Sequence, residues 1–231
     1  MPSGRGYDAA IGVPVLEVLG PPGSGKSALA ERLLHGEGWV VVKDHRAADL
    51  PALLRGVFDS RRVLTDPLPP GMRRTRRAAW VGRVAAVDQV VRRRVAAGAK
   101  GVVLDQGPAY TLERLMPISR GHDGAQWWHE RVRRCSGLLD VLVVLTADMT
   151  VLLDRINARP KSHQVRGMPT PMAEDFLSAA HDSCLATASW LEFAGVPVLR
   201  VDTGRVDLDA TVASVLARVE ASGVRFGNQP R

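Results

Sequence analysis

Five short apolar runs punctuate the chain: Val13 to Leu19, Trp39 to Lys43, Gly101 to Asp105, Val141 to Leu145 and Val196 to Val201. They are continuous rather than alternating, the pattern of parallel strands covered on both faces. Between them, apolar residues recur every three or four positions, as they do along one face of a helix. Leu29, Leu33 and Leu34 follow the first run, and Val81, Val84, Val87, Val91 and Val95 precede the third. Met172, Phe176, Ala180, Cys184, Ala188 and Leu191 precede the fifth, and Leu208, Val212, Val215 and Val219 mark a closing helix. Strands alternating with helices predict right-handed crossovers and a three-layer, doubly wound α/β fold with a five-stranded parallel sheet. No repeat, long linker or low-complexity segment interrupts the pattern. A single domain is therefore expected over residues 13–221, with tails at 1–12 and 222–231.

Composition narrows the setting. Apolar residues make up 45% of the 231 and charged ones 24%, ordinary proportions for a globular domain with a sizeable core. No stretch reaches the roughly 18 consecutive apolar residues needed to cross a bilayer. The N-terminus lacks the apolar segment of a secretory signal. The two cysteines, Cys135 and Cys184, make neither a disulfide framework nor a metal site. A cytoplasmic protein without a membrane partner is expected.

The net charge of +7 is carried mostly by arginine, ten of which fall between Arg61 and Arg94. Such a run is either a solvated face or a positive field that draws in a polyphosphate. A nucleic-acid partner is not expected, because Trp80 is the only aromatic interleaved with the cluster.

The sharpest chemistry lies at Gly20-Pro21-Pro22-Gly23-Ser24-Gly25-Lys26-Ser27, which fits G-x-x-x-x-G-K-[ST] at every position. It follows an apolar run and opens a helical segment beginning at Ser27 and Ala28. Glycines let successive backbone N–H groups turn inward as an anion nest, and the helix N-terminus adds partial positive charge. Lys26 is placed to reach the β- and γ-phosphates, and the Ser27 hydroxyl to ligate Mg²⁺. No N-K-x-D or T-K-x-D motif occurs, which argues against a guanine nucleotide. Asp105 ends the third run, where a carboxylate either holds Mg²⁺ or its water, or caps the next helix.

After the fourth run comes Asp148-Met149-Thr150-Val151-Leu152-Leu153-Asp154-Arg155-Ile156-Asn157-Ala158-Arg159. It resembles the segment of thymidylate kinases and deoxynucleoside kinases in which a strand, an Asp and a short helix lead into an arginine-bearing lid. Arg155 and Arg159 share a helical face, and Lys161, His163 and Arg166 follow in a stretch rich in Pro, Gly and Ser. The alternative is a solvated helix end whose cations the helix dipole favours. Val201-Asp202-Thr203-Gly204 is similar to the family loop that borders adenine, and Trp80-Val81-Gly82-Arg83 sits where relatives carry an aromatic and a substrate-contacting arginine.

The resemblance implies ATP and Mg²⁺ as cofactors, a small-molecule phosphoryl acceptor, a lid near residues 155–170 and a homodimer. It implies donor contacts from Gly20 to Ala28, Arg155, Asp202 and Thr203, acceptor contacts from Asp44, Arg83 and Gln106, and metal contacts from Ser27 and Asp105. Lys26, Asp44, Arg159 and Arg166 are the expected catalytic groups, with Arg159 and Arg166 closing over the transferred phosphoryl. Asp44 is either a base for an acceptor hydroxyl, with His45 in reserve, or a loop Asp paired with Lys43 or Arg46. Two features depart from the family. Gln106 replaces the usual arginine after the strand Asp, and residues 119–134, with Trp127, Trp128 and His129, match no family motif; the tryptophan pair either packs in the core or lines an acceptor pocket. The expected activity is transfer of the γ-phosphoryl of ATP to a nucleoside, nucleotide or small biosynthetic alcohol. The alternative is a P-loop ATPase or nucleotide-binding regulator that has no such acceptor.

Overall fold

In the computed structural model, residues 11–36, 38–43, 49–65, 73–115, 122–160 and 163–222 are described. Among them the elements run β1 (Val15–Leu19), α1 (Lys26–Leu34), β2 (Trp39–Val42), α2 (Leu50–Asp59), a 3-10 turn (Arg61–Thr65), α3 (Arg74–Ala96) and β3 (Gly101–Asp105). There follow α4 (Pro108–Leu115), α5 (His122–Leu138), β4 (Val141–Thr146), α6 (Met149–Ala158), α7 (Thr170–Phe193), β5 (Val198–Asp202) and α8 (Leu208–Ala221). The five strands are all parallel in the order β2-β3-β1-β4-β5. The expected sheet is present. Its strands shift by a residue or two at their ends because pairing partners, not apolar residues, end a strand: Val13 stands before β1, Lys43 falls beyond β2, and β5 runs from Val198 to Asp202 rather than from Val196.

The sheet separates two apolar layers by the alternation of strand side chains. Val15, Leu19, Val102, Leu104, Leu142 and Val144 face α3, α4, α5 and α7, meeting Val81, Val84, Leu112, Trp128, Cys184 and Ala188. Leu16, Val18, Val103, Val141, Val143 and Leu145 face Leu29 and Leu33 of α1 and Val215 and Val219 of α8. A smaller cluster of Leu152, Ile156, Val165, Ala173 and Leu177 joins α6 to the start of α7. On α7 the buried stripe begins at Ala173 and Leu177, so Met172 is left exposed. The 3.6-residue drift of the helix separates the two stripes, and packing against α6 selects the smaller residues.

Trp127 and Trp128 are core. Both are buried; Trp127 Nε1 donates to Ser60 Oγ at 3.0 Å and Trp128 Nε1 to the Leu112 carbonyl at 3.2 Å. The arginine-rich stretch is mostly the long helix α3. Part of it is structural: Arg77 is fully buried, while Arg93 and Arg94 meet the buried Asp49 carboxylate at 3.4 and 2.9 Å, tying α2 to α3. Among the described residues no helix is long and apolar enough to cross a membrane.

Candidate phosphate-binding site and acceptor cleft

β1 ends at the carboxyl edge of the sheet and turns into α1 through the glycine-rich loop. Gly25, at φ 93°, sits at the helix N-cap, and the Leu29 amide donates to its carbonyl at 3.0 Å. Gly23 combines a φ of +86° with close packing, since a Cβ there would lie 2.6 Å from the Leu152 carbonyl oxygen. Only glycine meets both demands. The loop is thus clamped against α6, the helix that carries Arg155 and leads to Arg159.

Lys26 curls back into this loop, where Nζ donates to the carbonyls of Gly20 at 2.7 Å and Pro21 at 2.9 Å. Burial lowers its pKa to about 8; Arg159 pushes it the same way, while Cys184, Asp105 and Glu113 oppose. The His163 imidazole is also lowered, by burial first and then by Arg159 and Lys26. The loop lysine and these two groups beyond β4 therefore share one electrostatic neighbourhood.

One open cleft of about 370 Å³ lies beside the loop, lined by residues that include Gly23, Gly25, Ala28, Arg155, Arg159 and Thr203. It draws six expected donor-side and lid residues from three separate parts of the chain. Arg155 Nη1 donates to Thr203 Oγ1 at 2.8 Å and Nη2 to the Thr203 carbonyl at 2.7 Å. Asp202 turns instead to its own loop, accepting from the Gly204 amide at 2.9 Å and pairing with Arg205 at 3.2 Å. Arg166 donates to the carbonyls of Asn157 and Arg159, bracing the turn that follows α6, and is not part of the cleft lining.

A second, far smaller pocket, with room of only about 20 Å³, lies on the β3 side, lined by Val42, Lys43, Arg83, Val87, Val90, Leu104, Gln106, Gly107 and Pro108. It brings together Arg83 and Gln106, two of the expected acceptor contacts. Asp105 stands at the end of β3 beside Val18 of β1, with Oδ2 3.4 Å from Lys43 Nζ. Asp44 and His45 lie outside the described residues, as does Lys161.

Two carboxylates here are not singled out by sequence pattern. Glu17, in the middle of β1, is fully buried and accepts from the Ala109 and Tyr110 amides at 2.8 and 2.9 Å. Withdrawal from water pushes its pKa up to about 8, against the pull of these backbone donors. Glu113 of α4 is buried beside Arg114, 3.6 Å away, and hydrogen-bonds Ser183; burial raises its pKa while Arg114, Ser183 and Lys26 hold it down. A charged residue inside an apolar strand is the one available signal for Glu17. Glu113 gives none, because α7 brings Ser183 to it from 70 residues away.

A glycine-rich loop joining the central strand to a helix, with a strand-end Asp on one side and arginines on the other, defines a P-loop protein with the fold of the nucleoside and nucleotide kinases. Residues 15–178 match the family profile described as AAA domain, and the chain belongs to that family. No curated protein matches it significantly by sequence. Among solved structures it is similar to deoxyadenosine kinase from M. mycoides with products dCMP and a flexible dCDP bound. The two share 12% identity at a TM-score of 0.53, covering 90% of this chain and 99% of that one. The same kinase with bound dATP is similar at 12% identity and a TM-score of 0.51, covering 89% of this chain and 98% of that one. These likenesses place the fold beside the deoxynucleoside kinases.

Proposed function

We propose that the protein is an ATP-dependent kinase that transfers the γ-phosphoryl group to a small molecule. The observation that carries this reading is a cleft that brings two arginines to the P-loop, with a separate small pocket on the β3 side of the sheet. The larger joins the P-loop to Arg155, Arg159 and Thr203, and the smaller joins Lys43, Arg83 and Gln106 next to Asp105. The fold shared with deoxyadenosine kinase favours a nucleoside, nucleotide or comparable small alcohol as acceptor.

Phosphoryl transfer needs positioning and charge neutralisation more than covalent chemistry from the protein. Lys26 would leave the Gly20 and Pro21 carbonyls for the β- and γ-phosphates, and the loop amides would cradle them. Mg²⁺ suits the oxygen donors at this edge, a hydroxyl and a carboxylate, since it binds through few protein ligands plus phosphate oxygens and water. Ser27 and Asp105 would hold it, and bound there it would neutralise charge on the phosphates. Arg159 would approach the transferred group, with Arg166 holding the carbonyls of its turn. Arg83 and Gln106 would orient the acceptor, and Asp44 would take the proton of an acceptor hydroxyl. Asp202 and Thr203 would border the adenine.

The test is ADP release from ATP and Mg²⁺ against a panel of nucleosides, nucleotides and small alcohols. Stimulation by one of them, with a phosphorylated product, is the expected result. A hydrolysis rate unchanged by every member would instead favour an ATPase or nucleotide-binding regulator.

A further inference from the structure

We propose that Glu17 is a positioning residue for the acceptor side of the site, holding from the central strand the turn that carries Asp105 and Gln106. The proposal rests on the kinase reading and deepens it.

β1 lies between β3 and β4, so a side chain at its middle has no path to water, and Glu17 is fully buried. A carboxylate there is costly unless hydrogen bonds compensate for lost hydration. Its neighbours on the same face, Val15 and Leu19, are ordinary core residues, and another apolar residue would fill the space at less cost. The compensation is concentrated in one place. Oε2 accepts from the Ala109 amide at 2.8 Å and Oε1 from the Tyr110 amide at 2.9 Å, and the nearby Gly107 amide adds a weaker pull on the carboxylate. All three amides belong to the five residues that follow Asp105.

A helix is usually capped by the residue just before it. Before α4 that residue is Gly107, which has no side chain, and the cap comes instead from a strand 92 positions away in sequence. Gly107 must also be small: a Cβ there would lie 2.8 Å from the Glu17 carboxylate and 2.7 Å from Leu104 Cβ. Between Asp105 and Gly107, Gln106 adopts φ 61°, a left-handed conformation uncommon for a residue with a side chain. Such a backbone persists when its surroundings over-determine it. Glu17 supplies that constraint from below, and Gln106 and Gly107 line the acceptor cleft with Arg83 and Lys43. The P-loop, by contrast, takes its own shape from Gly23 and α6. Glu17 should therefore govern the acceptor more than ATP.

Steady-state kinetics of the wild type, Glu17→Gln and Gly107→Ala test this, using ATP and the acceptor found in the panel, with amide exchange measured over residues 106–110. The Gln amide would point an N–H at a backbone N–H, and the Ala methyl would press on the carboxylate. The expected result is an acceptor KM raised about fivefold or more in both variants. The ATP KM should stay within about twofold, and exchange at Ala109 and Tyr110 should quicken in Glu17→Gln. A folded Glu17→Gln protein whose two KM values move together, or not at all, overturns the proposal. If that variant does not fold, Glu17→Asp, whose shorter carboxylate falls short of the Ala109 and Tyr110 amides, decides by the same split. A wild type that phosphorylates nothing defeats the kinase reading and this proposal with it, whereas an active wild type with an indifferent Glu17→Gln removes this proposal alone.

Discussion

Arg155 of α6 reaches over the larger cleft and closes on Thr203, in the loop after β5, through two hydrogen bonds of 2.8 and 2.7 Å. A third, longer contact of 3.5 Å runs from the same guanidinium to the Gly23 carbonyl in the P-loop. One side chain thus ties together the phosphate loop, the helix leading to Arg159 and the expected adenine loop. Charge-assisted hydrogen bonds of this kind contribute about 1.5–3 kcal/mol each. Arg155→Ala should raise the KM for ATP by roughly tenfold and lower Tm by several degrees. Thr203→Val, which removes the hydroxyl but leaves the carbonyl, should show about half the loss in free energy. Steady-state kinetics and thermal melts of the two variants check this; an unchanged ATP KM in Arg155→Ala would separate the residue from the donor.

Arg159 and Arg166 should behave differently, although the sequence makes them look alike. Arg159 lines the cleft and acts on the charge of Lys26, whereas Arg166 binds the carbonyls of Asn157 and Arg159. Arg159→Ala should reduce kcat by roughly 10³-fold or more, the scale of an arginine that stabilises transferring phosphate. Arg166→Ala should cost about 1 kcal/mol of stability and act on kcat only through the turn it braces. Single-turnover rates and denaturation midpoints distinguish the two.

Lys26 should set the alkaline limit of ATP binding. Its pKa in the free protein is held at about 8, with burial as the main cause. Phosphate favours the ammonium form and raises that value on binding. Affinity for ATP should then be flat below about pH 8 and fall as pH rises through it, with proton uptake on binding above that point. Calorimetry from about pH 7 to about pH 9.5, in buffers of different ionisation enthalpy, measures both effects. Lys26→Ala should abolish ATP turnover.

Glu17 should leave its mark on stability as well. Its pKa is raised from 4.5 to about 8, so the native state binds more protons than the unfolded chain between those values. Unfolding free energy then decreases as pH rises from about 4.5 to about 8, and this contribution is greatest at the acid end. Glu17→Gln cannot ionise. The stability of wild type relative to this variant should decline by a few kcal/mol across that window, with a limiting slope of about 1.4 kcal/mol for each pH step of one. Urea midpoints taken through the window test the sign.

Trp128 is buried between α4 and α7, where its ring meets Trp190 edge-on at 5.8 Å. Trp128→Ala should cost about 3–5 kcal/mol while leaving the ATP KM of the folded fraction near that of wild type. A selective change in acceptor KM would restore the pocket reading for this residue.

Locally encoded features were legible in the sequence. Continuous apolar runs mark strands buried on both faces, and the spacing of Gly23, Gly25, Lys26 and Ser27 prescribes a phosphate nest because those backbone torsions and donors belong to neighbouring residues. A strand ending in Asp105 points to the sheet edge for the same reason. The helix stripes were read less well: Leu34 and Met172 are exposed, and α2 carries an apolar face with Leu54 and Phe58 turned outward. Periodicity says which residues share a face, but neighbours decide which face is covered.

What the sequence determined by itself, then, was the parallel sheet, the phosphate loop and the chemical types brought to its edge. Tertiary structure alone decided which charges serve which task. It buried Arg77, set Arg93 and Arg94 on Asp49, drew Arg166 onto carbonyls and brought Glu113 within the field of Lys26. It also bent Glu17 onto a turn 92 residues away. Side-chain roles of this kind depend on desolvation and on partners supplied by distant segments, and neither exists until the layers have packed.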